Sequence, residues 1–330
     1  MIDRGNSIAF AIPASMAASA ADPRCLVCIP CFNSEDTIVE VVAALLRNSA
    51  ADILLVDDLS DKPLEGIIRK AFPSEDRVTV LRPKEKVFTG GAKNMGLQRG
   101  MDEDYDFAIM MDSDVVVGPN TVRGMQEFLR THPDEVVVSA AILPFGNLSQ
   151  YADTLINFSN YLPNPARDVS RKECLAGYAF AINLVRFRAS PCLMPRRIGG
   201  DDVLFFRGMQ ARLGIDTFAL LNHATVVHKP PRATLQRAVS AQRRYGMSFF
   251  SHNQNRRNAV FNRWPMLHLL TPRFLLMLAR LVRCRRFRDL LYAPVCWYLD
   301  LRRAVGIIQL QVTGFQDPLH ARQPVSRPQH

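Results

Sequence analysis

Residues 107–114 read Phe-Ala-Ile-Met-Met-Asp-Ser-Asp. Five apolar residues in a row suit a strand buried on both faces, the kind found in a parallel sheet covered by helices. Two carboxylates follow, one residue apart. Side chains alternate along a strand, so Asp112 and Asp114 are expected to converge just past its end. Like charges so placed repel, and desolvation adds to the cost. A divalent cation relieves both. Mg²⁺ or Mn²⁺ is ordinarily held by one or two carboxylates together with substrate phosphates. Taken alone, Asp-Ser-Asp can equally be a solvated turn, so its surroundings decide.

Those surroundings alternate between two periods. Arg24–Pro30 is a short apolar run of the buried-strand type. Asn33-Ser34, then Glu35-Asp36, look like a helix start. Ile38, Val41, Val42, Leu45 and Leu46 supply the apolar face of that helix. Strands follow at Asp52–Val56, Arg77–Leu81, Phe107–Met111 and Glu135–Ile142, with helices near Leu64–Phe72, Gly90–Met101 and Pro119–Thr131 between them. Further on, Cys174–Leu184 reads as a strand, Val203–Leu213 as a helix ended by Gly214, and Thr217–Leu221 and Ala224–His228 as two short strands. Phe145–Arg171 suits a loop-helix insertion, and Ala233–Phe250 a helix.

Strands alternating with helices predict an α/β fold with a doubly wound, mainly parallel, Rossmann-like sheet. Ligands of such sheets bind at the carboxyl ends of the strands, at the switch point. Pro30–Asn33, Asp57-Asp58 and Asp112–Asp114 all fall at carboxyl ends. Three polar clusters on one edge predict a site there.

The net charge of +10 is unevenly spread. Residues 1–228 hold 23 basic and 28 acidic side chains, whereas residues 229–330 hold 17 Arg and one Lys against three Asp. A basic region of this kind meets nucleic acid or an anionic membrane surface. Trp264–Leu310 is apolar but interrupted by arginines, so no run reaches the roughly 18–20 apolar residues that span a bilayer. Apolar faces with many arginines read as helices lying in the membrane interface. A basic packing face or an oligomer contact is the plain alternative. Nucleic acid is not expected, because no nucleic-acid motif accompanies the charge. The expected organisation is a flexible tail over residues 1–22, a catalytic domain over 23–230, and a basic helical region over 231–330 that ends in a disordered tail.

Several motifs carry competing readings. Cys25, Cys28 and Cys31 have metal-like spacing, but alternation in a buried strand sends them to opposite sides, so they are expected as small core hydrophobes. All seven cysteines lack a disulfide-framework spacing, which fits a reducing, cytoplasmic setting. Gly90-Gly91-Ala92-Lys93-Asn94-Met95-Gly96 matches neither the dinucleotide fingerprint nor the P-loop. A helix start with a nearby lysine still favours a diphosphate, and the bland alternative is a turn with Gly96 packed against the sheet. Asp201-Asp202 is either a helix cap with a first-turn acid or a carboxylate base at the site's rim. His228 ends a strand, where an isolated histidine is usually a satisfied core residue.

Five stretches occur together: Ile29-Pro-Cys-Phe-Asn-Ser-Glu35, Leu54-Leu-Val-Asp-Asp-Leu-Ser-Asp61, Gly90-Gly-Ala-Lys-Asn-Met-Gly-Leu97, Met110-Met-Asp-Ser-Asp114 and Gly200-Asp-Asp-Val203. In this order they resemble the inverting nucleotide-sugar glycosyltransferases of the family 2 type, with the GT-A fold. The resemblance implies that Pro30, Phe32 and Glu35 line the base and ribose, that Asp57 or Asp58 hydrogen-bonds the base, and that Lys93 approaches the base or diphosphate. It implies that Asp112 helps hold ribose or metal, that Asp114 ligates Mg²⁺ or Mn²⁺, and that His228 assists at the metal. It implies Asp202 as catalytic base with Asp201 beside it. Gln242-Arg-Arg-Tyr245-Gly246 is similar to the Gln/Arg/aromatic motif of processive members, but its spacing departs from Q-x-x-R-W.

The implied partners are a nucleoside-diphosphate sugar, with UDP favoured, a lipid-linked or polysaccharide-precursor acceptor, and an anionic membrane on its inner face. One rival is a sugar-phosphate nucleotidyltransferase, which needs a glycine-rich, basic loop after the first strand, where this chain has Pro30-Cys31-Phe32-Asn33. Another is a non-catalytic nucleotide-sugar or membrane-binding module, against which Asp112, Asp114 and Asp202 argue.

Overall fold

A computed structural model describes residues 23–196, 200–231, 234–249 and 264–313. The expected tails lie outside the described residues. The first half runs β1 (Cys25–Cys31), α1 (Ile38–Asn48), β2 (Asp52–Asp57), α2 (Leu64–Ala71), β3 (Val78–Leu81), α3 (Phe88–Asp102) and β4 (Phe107–Met111). These four strands pair in parallel in the order β3-β2-β1-β4.

Alternation along β1 divides the core in two. Cys25, Val27, Ile29 and Cys31 pack with the apolar stripe of α1, which includes Ile38, Val41, Val42 and Leu45. Leu26 and Cys28 face the other way, towards Ala92 and Leu97 of α3. The three cysteines are therefore core residues on opposite faces of the sheet. A Cβ added to Gly96 would stand 2.3 Å from Cys28 Sγ, so that glycine lets α3 lie directly on the sheet.

The second half runs β5 (Val115–Val117), α4 (Thr121–Thr131), β6 (Val137–Pro144), α5 (Leu148–Phe158), β7 (Val169–Lys172), β8 (Ala179–Asn183), α6 (Leu184–Phe187), α7 (Asp201–Leu213) and β9 (Phe218–His228). The described sheet continues from β4 through β8, β6 and β9 to β5, with β7 also paired to β9. Here β6–β9 is parallel, while β4–β8, β6–β8, β5–β9 and β7–β9 are antiparallel. The parallel character thus belongs chiefly to the first half.

Four details differ from the sequence reading. The helix expected from Asn33-Ser34 begins at Ile38, because Ser34–Thr37 forms a turn with Thr37 N–H and Ile38 N–H both donated to Ser34 O. The strand placed at Cys174–Leu184 starts at Ala179. The two short strands are one, β9, whose register shifts against β6 between Ala140 and Ala141. The short strands β5 and β7 have too few residues to show a period and were not foreseen.

The insertion after β6 does contain a helix. Asn147 Oδ1 accepts from Ser149 and Gln150 N–H, while Gln150 Oε1 accepts from Asn147 N–H, a reciprocal cap that starts α5. Against α5 lie α8 (Leu235–Phe249), α9 (Pro272–Arg283) and α10 (Ala293–Thr313). Ala152, Leu155 and Ile156 share a third core with Ala238, Met277, Leu281, Cys296 and Leu299. Gly246 and Gly306 let α8 and α10 cross closely: added Cβ atoms would stand 2.2 Å from Arg303 O and 2.4 Å from Arg243 O. Among the described residues no helix is long and apolar enough to cross a membrane.

Candidate functional site

Strand β4 ends at Met111, one residue before the first aspartate. Asp112–Asp114 form a turn, with Val115 N–H donated to Asp112 O at 3.3 Å. The alternation expected of a continuing strand therefore does not apply, and the two carboxylates take different partners. Asp112 N–H donates to Tyr178 O, and its Oδ1 accepts from Lys93 Nζ at 2.8 Å. Asp114 is carried onward into β5, whose Val115 is registered opposite His228 of β9. This pairing sets His228 Nε2 3.5 Å from Asp114 Oδ2.

His228 is buried and its ring is held from behind. Nδ1 lies 2.8 Å from Thr154 Oγ1, which donates to Gln150 O at 3.0 Å. With its proton on Gln150 O, the hydroxyl can accept from His228 Nδ1–H, which leaves Nε2 as the ring nitrogen that faces Asp114. Phe158 meets the ring edge-on, with centroids 5.1 Å apart. Helix α5 thus orients a histidine that belongs to the sheet.

The carboxyl end of β2 supplies Asp57 and Asp58, both buried. Asp57 accepts from Ser60 N–H, Leu64 N–H and Arg82 Nη1, the last at 2.6 Å. Burial raises its pKa, but these donors outweigh burial and hold the carboxyl below its ordinary value. Asp58 accepts from Val87 N–H at 2.7 Å and Phe88 N–H at 2.9 Å, tying the loop before α3. Lys86 reaches back to Asp58 O and sets Nζ 3.0 Å from the centre of the Phe32 ring. Phe32 is 53% exposed, unusual for a large aromatic side chain.

Lys93 is 2% exposed and donates both to Asp112 and to Gly177 O, the latter at 2.6 Å. Burial alone would lower its pKa; Asp112, Asp201 and Asp202 outweigh burial and hold the ammonium above its ordinary value. Gly177 N–H in turn donates to Asp202 Oδ2 at 3.0 Å, while Asp202 Oδ1 accepts from Val203 N–H at 2.8 Å. Asp201 is buried at the start of α7. Burial, then the charge of Asp202, push its carboxyl up to about 6. Asp112 is also raised, first by burial and then by Asp114 and Asp202, against the pull of Lys93. Three carboxylates thus crowd one lysine, with Asp114 acting on Asp112 beside them, and the region carries surplus negative charge.

A cavity of about 420 Å³ opens at this edge, lined by Pro30, Phe32, Asp58, Asp112, Asp114 and His228 among the residues expected from sequence. Its wall also includes Cys31, Thr89, Ser113, Phe158 and Tyr245, which the sequence reading did not assign. Tyr245 stands in the Gln-Arg-Arg-Tyr-Gly motif and was open to that inference; Phe158 and Thr89 carry no local signal. Lys93, Asp57, Asp201, Asp202 and Glu35 are not part of the wall. Glu35 Oε1 lies 4.0 Å from Lys62 Nζ, and its buried Oε2 has no partner among the described residues.

Among the described residues no three His, Cys, Asp or Glu side chains form a ready-made metal cluster. The donor set nevertheless fits a hard divalent cation. Asp112, Asp114 and His228 border one cavity, with Nε2 of the histidine turned to Asp114, and surplus negative charge surrounds them. Such an ion usually completes its coordination with water and substrate phosphates rather than with protein alone.

Comparison with known proteins gives the following. The sequence model described as glycosyl transferase family 2 matches residues 26–193. No curated protein matches the chain. A mannosyltransferase from Pyrobaculum calidifontis, solved with GDP-Man and Mn²⁺, is similar in fold with a TM-score of 0.55 and 12% identity, covering 90% of this chain and 89% of its own. GalNAc-T7, solved with UDP, GalNAc and Mn²⁺, gives a TM-score of 0.50 and 15% identity over 68% of this chain and 50% of its own.

Proposed function

This chain belongs to glycosyl transferase family 2, and we propose that within it the protein is a metal-dependent, inverting hexosyltransferase. It takes a nucleoside-diphosphate sugar, UDP-linked by preference, and passes the sugar to a hydroxyl of a lipid-linked or polysaccharide precursor. The observation that carries this reading is the cavity bordered at once by Phe32, Asp58, Asp112, Asp114 and His228.

The half-exposed Phe32 ring offers a stacking face for the base. Both aspartates are hydrogen-bonded within the fold, but Asp58 borders the cavity and Asp57 does not, so Asp58 is the one assigned to the base. Glu35, outside the cavity wall with its Oε2 buried, is given no contact with the ribose. Asp112, Asp114 and His228 would hold Mg²⁺ or Mn²⁺, which supplies charge neutralisation to the leaving diphosphate.

Asp202 is the base. Two backbone N–H donors, from Gly177 and Val203, fix its carboxylate, and among the described residues no ion pair ties it. It takes the proton of the acceptor hydroxyl as that oxygen bonds to the anomeric carbon. The bond from that carbon to the diphosphate oxygen breaks on the opposite face, so the anomeric configuration inverts and one base suffices, unlike the carboxylate pair of a glycosidase. The buried Lys93 ammonium, held by Asp112, keeps part of the negative charge compensated while the site waits for its ligands.

Thermal stabilisation by UDP, GDP, dTDP and CMP, each with and without Mn²⁺, tests the reading. A ligand at 100 times its dissociation constant adds about 2.7 kcal/mol. A Mn²⁺-dependent shift with one nucleoside diphosphate is expected. No shift with any of them removes the donor assignment and favours a non-catalytic module.

A further inference from the structure

The chain has two tryptophans, Trp264 and Trp297. Both are exposed, at 61% and 47%, and both belong to the helical layer formed by residues 264–313. A soluble core would use such side chains, since each can bury a large apolar surface. Five leucines of the same layer are also left outside: Leu269, Leu270, Leu275, Leu276 and Leu291, the last 81% exposed. In α9 the pattern is regular. Met277 and Leu281 face the shared core, while Leu275, Leu276 and Val282 are exposed. Helix α9 is thus apolar on its outer side as well as its inner one.

The charge of this layer is one-sided. Residues 264–313 contain eight arginines and two aspartates. Both aspartates are buried and used internally. Asp289 pairs with Arg286 and accepts from Tyr151 Oη; Asp300 accepts from Phe274 N–H. Every exposed ionic group of residues 264–313 is therefore cationic. Arg283, Arg285 and Arg288 are exposed and have no carboxylate partner among the described residues.

We infer that this face docks on an anionic lipid surface, with Trp264, Trp297 and the exposed leucines in the interface and Arg283, Arg285 and Arg288 at the headgroups. Exposed tryptophan and leucine beside unpaired arginine suit a helix lying in the plane of a membrane. A second copy of the chain fits poorly, because a two-fold contact would set the same unpaired arginines against each other. An anionic bilayer attracts them. Helix α10 also links this face to the cavity: it carries Trp297, and its Gly306 seats α8, the helix of the cavity residue Tyr245. The inference stands on surface chemistry and does not depend on the reaction assigned to the cavity.

Full-length protein mixed with phosphatidylcholine vesicles, with and without phosphatidylglycerol, provides the test. Tryptophan emission and co-sedimentation are the readouts. Emission is expected to move to shorter wavelength, and protein to sediment, only with the anionic vesicles, and added salt should weaken both. Replacing both leucines, Leu275→Glu with Leu276→Glu, should reduce binding about tenfold or more. Replacing Arg283, Arg285 or Arg288 by Ala should reduce it about fivefold each. These positions are exposed, and an unchanged melting temperature verifies the fold. Absence of vesicle binding overturns the inference. So does an emission shift that follows protein concentration alone, with a dimer in sedimentation. Binding that survives both glutamates also overturns it, since charge contact without insertion is then sufficient.

Discussion

The ammonium of Lys93, 2% exposed, lies 2.8 Å from Asp112 Oδ1 at the base of the Asp112–Asp114 turn. The pair joins helix α3 to the end of β4, two elements that also meet through the core. Lys93 further donates to Gly177 O, whose own residue donates N–H to Asp202, so one lysine fixes both halves of the site.

Lys93→Met should cost stability chiefly by leaving Asp112 without its counter-charge. Breaking a fully buried pair costs about 3–5 kcal/mol. Asp112 keeps 37% of its side-chain exposure, so water screens part of the loss and about 2 kcal/mol is expected. Urea unfolding at neutral pH measures it. The double change with Asp112→Asn should recover part of the loss, because both charged groups are then gone.

Asp114→Ala and Asp202→Asn should separate binding from chemistry. The first removes a donor beside His228 and should abolish the Mn²⁺-dependent part of nucleotide binding, seen by calorimetry. The second should lower turnover about 10²–10⁴-fold, the usual weight of a general base, with nucleotide affinity within about twofold. Retained turnover in Asp202→Asn would refute the base assignment.

Asp201 gives a pH signature. Its carboxyl is raised from 3.8 to about 6, so between those values the folded state binds more protons than the unfolded one. Stability contributed by this group is present at low pH and falls as pH rises through 6. Asp201→Asn should therefore be more stable than the wild type at pH 7, by on the order of 2 kcal/mol, with the difference vanishing below pH ~4. Thermal unfolding across that range tests it. A difference that is constant with pH would rule out titration of Asp201 as its source.

Glycine substitutions test the helical layer. A Cβ on Gly246 meets Arg303 O at 2.2 Å, so Gly246→Ala should push α8 off α10 and cost about 1–3 kcal/mol despite better helix propensity. Gly66 in α2 has nothing within 4 Å, and Gly66→Ala should stabilise by about 0.5–1 kcal/mol. Opposite signs in chemical denaturation would bear out the packing difference.

Much of this molecule was open to reading from local chemistry. The apolar run at Phe107–Met111, the alternation that divides Cys25, Cys28 and Cys31, and the polar clusters at the ends of β1, β2 and β4 follow from periods of two and 3.6 residues and from the cost of burying charge. These are properties of neighbours in the chain, so composition and spacing suffice for them.

Tertiary structure decided what stands next to what. Asp114 meets His228 only because β5 pairs antiparallel with β9 in one register, and a three-residue strand advertises no register. Thr154 orients the histidine from α5, and Tyr245 reaches the cavity from α8, although 74 residues part Thr154 from His228. Lys93, expected near the base or diphosphate, is buried against Asp112, with Gly177 O and two further carboxylates around it. Contacts of this range depend on how whole elements pack, and their free energy is shared across the core rather than written in any one segment.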